Sequence, residues 1–196
     1  MKNCSFTFKL FLVSVFILSI MACKRDSKIC DTTQELNDKP HLVDLTPLDK
    51  VPQFLEELTK YPQLRVNSIV DDEYMTQMNC DVFHGNLLIF FANYDLAKSK
   101  RDGTIFKSGE ILVPQNLDIN PVLTSEEAIS KAKSELEFKS CLNYRLGILP
   151  VYDENNNTTN LKLAWKISDE YKSQFVIVDA KSGVVLMKDD GVRFAQ

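Results

Sequence analysis

Between Leu161 and Ile167 the chain alternates without a break. Leu161, Leu163, Trp165 and Ile167 fall on one side, and Lys162, Ala164 and Lys166 on the other. A period of two is the mark of a strand with one buried face, so this segment belongs in a sheet whose apolar side is covered. The cover lies upstream. Thr124-Ser-Glu-Glu127 is a capping box: the Thr124 hydroxyl accepts from the third backbone N–H, and Glu127 reaches back to the cap. Ala128, Ile129, Ala132 and Leu136 follow as one helical stripe, and the two small alanines allow close approach to a sheet. Tyr144–Val151 and Phe175–Asp179 read as further strands. Ala180-Lys-Ser-Gly183 turns the chain into Val184–Met187, with Gly183 where a positive φ is needed. A helix followed by an antiparallel meander is an α+β layer.

The preceding block has the same character. Val51–Lys60 is helical, with Pro52 in the first turn, Phe54, Leu55 and Leu58 on one face, and Tyr61-Pro62 as the stop. Leu64–Val70 alternates loosely as a strand. Residues 81–94 read as two strands around a turn at Gly85-Asn86, with Leu87–Phe91 apolar on both faces and therefore central. Asp102-Gly103 is the next turn, followed by short strands at 104–106 and 110–113. The expectation is an α+β protein with helices packed on antiparallel sheets, in two small lobes spanning 51–118 and 119–196.

Residues 1–22 are set aside as a signal peptide. Lys2 and Lys9 precede Leu10–Ala22, which carries no charge over 13 residues. As a helix that is about 20 Å, short of the ~30 Å hydrocarbon core. The run ends in Ile20-Met21-Ala22-Cys23, which resembles a bacterial lipobox and implies cleavage before Cys23 and lipidation of that residue. Removing 1–22 takes away Lys2 and Lys9 and no acid, which moves the net charge from −4 to −6. Acyl chains, not attraction to anionic lipid, would then hold the protein at the membrane of the cell envelope. Residues 23–50 are polar, with no period of 2 or 3.6, and read as a tether.

The second block resembles the PepSY domain of thermolysin-type propeptides. The residues that carry the likeness are Asn120–Ile129, Leu163-Ala-Trp165 and Val178–Leu186. Upstream, Asp81–Leu87, Asp102-Gly103 and Gly109–Pro114 resemble the fungalysin/thermolysin propeptide domain that usually precedes it. The resemblance implies cystatin-like lobes and a role in binding and restraining, or helping to fold, a zinc metalloprotease. In that family the propeptide leads into a protease with a His-Glu-x-x-His motif. No such motif occurs in these 196 residues, whose two histidines are His41 and His84. The implied function is thus a propeptide-like module acting in trans; the alternative is an adaptor lipoprotein that binds another envelope protein. The implied partner contact is the C-terminal end, at Asp189, Arg193 and Phe194, because that end leads toward the protease in the family.

No catalytic residue, metal ligand set or cofactor is expected. Asp153–Asn157 alternates oxygen ligands, but the glycine and glutamate of a calcium loop are replaced by Thr158 and Ala164. Asp71-Asp72-Glu73 reads as a solvated turn and His84 as a turn residue without a nucleophile or orienting acid. Net charge excludes an electrostatic nucleic-acid binder. With Cys4 in the signal and Cys23 lipidated, Cys30, Cys80 and Cys141 remain in a compartment where disulfides persist. Three pairings are open. Cys80–Cys141 is favoured because both flank structured segments, and three unpaired thiols are the alternative.

Overall fold

A computed structural model of the chain describes residues 34, 35, 43–138, 140–155, 157–171 and 173–191. They form a nine-stranded mixed sheet with two α-helices, an α+β architecture dominated by the sheet. The strands are β1 (Gln34–Glu35), β2 (Leu64–Asp71), β3 (Met75–His84), β4 (Leu87–Ser99), β5 (Ile105–Gly109), β6 (Leu142–Asp153), β7 (Thr158–Asp169), β8 (Phe175–Asp179) and β9 (Val185–Asp189). Helices α1 (Pro52–Lys60) and α2 (Ser125–Glu135) follow the expected segments, and a short 3-10 helix spans Thr46–Lys50.

The order across the sheet is β2-β3-β4-β6-β7-β8-β9, with β5 added to β4 and β1 to β6. All neighbours are antiparallel except two. β4 meets β6 in parallel, Leu88 opposite Gly147 and Ile89 opposite Ile148, and β1 also runs parallel to β6. The sheets were expected to be wholly antiparallel in two lobes. The structure instead joins the two halves into one sheet through β4 and β6. A parallel pair requires a long crossover, and the chain from β5 through α2 supplies it.

Both helices lie on one face. Alternation along β7 makes this plain: Leu163, Trp165 and Ile167 share a core with Ala128 and Ala132 of α2, while Ala164 packs on the opposite side with Phe90, Leu149 and Ile177. Helix α1 covers the other half through Phe54, which is fully buried against Met78, Val82 and Leu96. Leu48 in the 3-10 helix is fully buried in the same core. The folded body therefore starts before residue 51, and the expected tether of 23–50 does not run that far.

Two strands depart from their expected bounds. β4 continues past Tyr94 to Ser99, and β5 ends at Gly109 instead of resuming at 110–113. The interruption that hid the first is Phe91, whose φ is 61°. A left-handed residue inside a strand is a bulge that re-aims side chains. Here it brings the Phe91 ring, 57% exposed, to within 5.9 Å of the Phe175 ring, on the same face as its neighbour Phe90.

Candidate functional site

Three stretches far apart in sequence close on one another in the second half. Val122 and Leu123 donate backbone N–H bonds to the Ala180 carbonyl at 2.8 and 3.0 Å. The Trp165 Nε1–H donates to the Leu123 carbonyl at 3.0 Å. Ala180 N–H donates to the Leu163 carbonyl at 2.9 Å. Lys181 Nζ reaches both an Asp118 carboxylate oxygen and the Asn120 carbonyl, and that ammonium holds the exposed Asp118 carboxyl down to about 2. Thr124 then caps α2 as expected: Thr124 N–H donates to Glu127 Oε2 at 2.9 Å and Glu127 N–H to Thr124 Oγ1 at 3.3 Å. Gly183 has φ +73°, and Leu123 packs against the place where its Cβ would stand.

Asp179 is the polar pivot of this clasp. Its Oδ1 accepts the N–H groups of Lys181 and Ser182 at 2.8 and 2.9 Å, and Lys162 Nζ lies 3.7 Å from Oδ2. Burial pushes its pKa up, but these donors and Lys162 outweigh burial and leave it below the ordinary carboxylate value. A carboxyl depressed in the folded state contributes stability that is present above its unfolded pKa and lost as pH falls through the folded one. Asp179→Asn is therefore expected to lower stability by about 1–3 kcal/mol at pH 7. The difference from the parent should shrink below about pH 4. Urea unfolding at pH 7 and pH 3 measures it, and an equal gap at both would remove the carboxylate charge from the account.

The clasp leaves the far edge of the sheet open. β9 is the last strand in the order, so among the described residues one row of its backbone groups has no strand partner. An edge of this kind accepts an added extended segment. Beside it lies a cleft of about 570 Å³, lined by Glu135, Leu136, Phe175, Met187, Lys188, Asp189 and Asp190. Lys188 Nζ stands 3.6 Å from Glu135 Oε2, which ties the edge to the end of α2. Asp189 pairs with Phe175 and its Oδ1 accepts the Gly191 N–H at 2.8 Å. Gln174 Nε2 donates to the Asp190 carbonyl at 3.1 Å. Asp189, one of the three expected contact residues, thus lies on this cleft; Arg193 and Phe194 lie outside the described residues, as does Cys23, where lipidation is expected. Phe175 extends the apolar wall to Phe91, where Lys166 Nζ sits 4.9 and 4.8 Å from the two ring centroids. This aromatic and cationic cluster was not read from the sequence. The adjacent Phe90 and Phe91 were its one visible signal.

The remaining expected sites are engaged in structure. Asp71 accepts from Thr76 Oγ1 at 2.7 Å and pairs with Lys100 at 2.8 Å, while Asp72 Oδ1 accepts the N–H groups of Tyr74 and Met75. Asp153 Oδ1 accepts the Asn155 N–H at 3.0 Å in the β6–β7 turn. His84 ends β3 opposite Leu87. Among the described residues no three of His, Cys, Asp and Glu cluster as a metal site, and no helix is long and apolar enough to cross a membrane.

The favoured Cys80–Cys141 disulfide is not formed. Cys80 is a free thiol, 1% exposed, pointing into the α1 core beside Met78 and Val82, and burial pushes its pKa up to about 12. Cys141 is disulfide-bonded, so its partner is another cysteine. The pairing failed because Cys80 alternates inward with the core face of β3, which the sequence reading began only at residue 81.

No family model and no curated protein matches the chain. Among solved structures it is similar to the Bacillus megaterium YpeB C-terminal domain, at 12% identity and a TM-score of 0.38, over 74% of this chain. It spans 63% of the length of that structure. It is also similar to a "putative lipoprotein" of Clostridium difficile 630, at 16% identity and a TM-score of 0.26, over 71% of this chain and 91% of that one.

Proposed function

We propose that this protein is a non-enzymatic, lipid-anchored module of the bacterial envelope, in which PepSY-like and propeptide-like halves bind a thermolysin-type metalloprotease in trans and inhibit or chaperone it. The observation that carries the reading is the clasp. The stretches that resemble a PepSY domain, at 120–129, 163–165 and 178–186, meet through the Val122, Leu123, Trp165 and Ala180 hydrogen bonds. The three stretches that carry the resemblance are thus neighbours in the fold. The β9 edge and its cleft supply backbone and apolar surface where a protein partner can be held.

The test is hydrolysis of a peptide substrate by thermolysin-like proteases of the same source, with increasing amounts of a soluble form covering residues 24–196. Slowed hydrolysis is expected, without added metal and with modest weakening by salt. Deletion of residues 192–196 removes Arg193 and Phe194, two residue types that often anchor interfaces, and should weaken inhibition about tenfold or more. It spares the Phe175–Asp189 pair and the Gln174–Asp190 bond, so thermal unfolding should not change. Absence of both inhibition and a complex would leave the adaptor function in place of this one.

A further inference from the structure

The sheet forks at β4. On the edge away from β3, β4 pairs with β6 at Leu88 and Ile89, and with β5 only from Tyr94 onward. Among the described residues, Phe90 to Asn93 have no ladder partner in β5 or β6. Two local features end the β4–β6 pairing. Phe91 has a φ of 61°, and β6 reaches Pro150, which has no N–H to give to a ladder. A third feature fixes the closed end of the fork. Gly109 lies opposite Tyr94 with φ +91°, so close to β4 that a Cβ would stand 2.0 Å from the Asn93 carbonyl oxygen. That close approach sets the next residue, Glu110, beside Asn93.

The fork holds a cleft of about 300 Å³. Phe90, Phe91, Leu112 and Pro150 make its apolar walls, and Asn93 and Glu110 are polar groups on it. Asn93 Nδ2 donates to Asp95 Oδ2 at 3.3 Å, and Asp81 faces Asn93 from β3, so further carboxylates surround this side. Among the described residues no Lys or Arg lines the cleft. Lys107 of β5 is turned to Glu57 at 2.5 Å, and Lys166 Nζ stands 4.9 Å from the Phe91 ring centroid without lining the cleft. An apolar slot that carries a carboxylate fits a side chain with an apolar stem and a cationic head. A guanidinium can stack on the exposed Phe91 ring and donate two parallel bonds to the Glu110 carboxylate. The open backbone of Phe90 to Asn93 offers hydrogen bonds to the segment that carries it. We propose that the fork is a docking cleft for an arginine side chain presented by an extended segment of a protein partner. It shares no lining residue with the cleft beside β9, and it stands whether or not the partner there is a protease.

The test is fluorescence anisotropy with the full-length protein in a neutral detergent at low salt. The probes are dye-labelled pentapeptides with arginine, leucine or glutamate between two pairs of alanines. The arginine peptide should bind with a dissociation constant of about 1 mM or tighter, and the other two at least about tenfold more weakly. Glu110→Gln should weaken the arginine peptide about tenfold, and Glu110→Lys should make the glutamate peptide the better ligand. Glu110 is exposed, so both variants should fold as the parent does. Phe91→Gly suits the positive φ and removes the ring, and about fivefold weaker binding is expected. Glu56→Gln removes a charge from exposed α1 surface and should leave binding unchanged. Leucine binding equal to arginine binding, or an equal loss in Glu56→Gln, would overturn the cleft as a basic site. Displacement by free acetylarginine amide as effective as by unlabelled arginine peptide would overturn the protein partner. Absence of arginine-peptide binding at about 10 mM would overturn the whole proposal.

Discussion

Trp165→Ala is expected to destabilise the protein by about 3–5 kcal/mol, the range for emptying an aromatic site in a core. Trp165 is 8% exposed and sits mid-strand in β7, opposite Leu146 on one side and Val178 on the other. Its ring packs 6.0 Å from that of Tyr144, and its cluster includes Ala128 and Ala132 of α2. The loss has two parts. The cavity costs packing, and the Leu123 carbonyl loses the indole N–H, where an unpaired buried polar group costs about 1–3 kcal/mol. Trp165→Phe separates them, since it keeps much of the volume and removes only the donor. Urea unfolding followed by far-UV circular dichroism measures both variants, because Trp165 is the one tryptophan of the chain and its fluorescence disappears with it. A cost for Phe equal to that for Ala would assign the effect to the hydrogen bond. Unchanged midpoints for both would mean that the ring is not core and would return it to the binding surface. A change comparable to the 5–15 kcal/mol total of an ordinary domain would also open the clasp, so binding by the variant should fall with its folded fraction.

What could be read locally was read. The capping box at Thr124 and Glu127, the alternation of Leu161–Ile167, the turn at Gly85-Asn86 and the positive φ at Gly183 each depend on neighbours a few residues away. The Cys80 thiol was misplaced because β3 begins at Met75, in a polar stretch where Thr76, Met78 and Cys80 alternate inward too weakly in composition to stand out. The bulge at Phe91 broke the period of β4 and made one long strand look like a short one that ends at Tyr94. The parallel meeting of β4 and β6, and of β1 with β6, has no local signal at all, because it is decided by which strand edge is left open after the crossover. The candidate cleft shares that difficulty. Glu135, Phe175 and Met187 come from three elements, and only Asp189 was singled out, through the resemblance of the C-terminal end.

Gly147 tests whether the two halves are one cooperative body. It lies in β6 opposite Leu88, at the parallel crossing, with an ordinary negative φ that any residue can adopt. A Cβ there would stand 2.4 Å from Phe90 Cζ and 2.7 Å from the Leu88 carbonyl oxygen. The Phe90 ring is 2% exposed and is wedged among Leu149, Ala164 and Ile177, so it cannot swing aside freely. The Leu88 oxygen belongs to the neighbouring backbone and cannot move without disturbing the strand pair. Gly147→Ala is thus expected to cost about 1–3 kcal/mol by overpacking, and Gly147→Val more. Because the strain falls on the β4–β6 seam, the Val variant should also broaden the unfolding transition, as the α1 half and the α2 half begin to open separately. Phe90→Leu removes the nearest ring atoms. In a double-mutant cycle with Gly147→Ala the two changes should couple by more than about 0.5 kcal/mol, with the pair less damaging than the sum of the singles. Additive costs would move the clash from Phe90 to the Leu88 backbone. A Gly147→Val protein as stable as the parent would show that the seam is not closed in solution, and the two halves would then be separate lobes, as the sequence alone suggested.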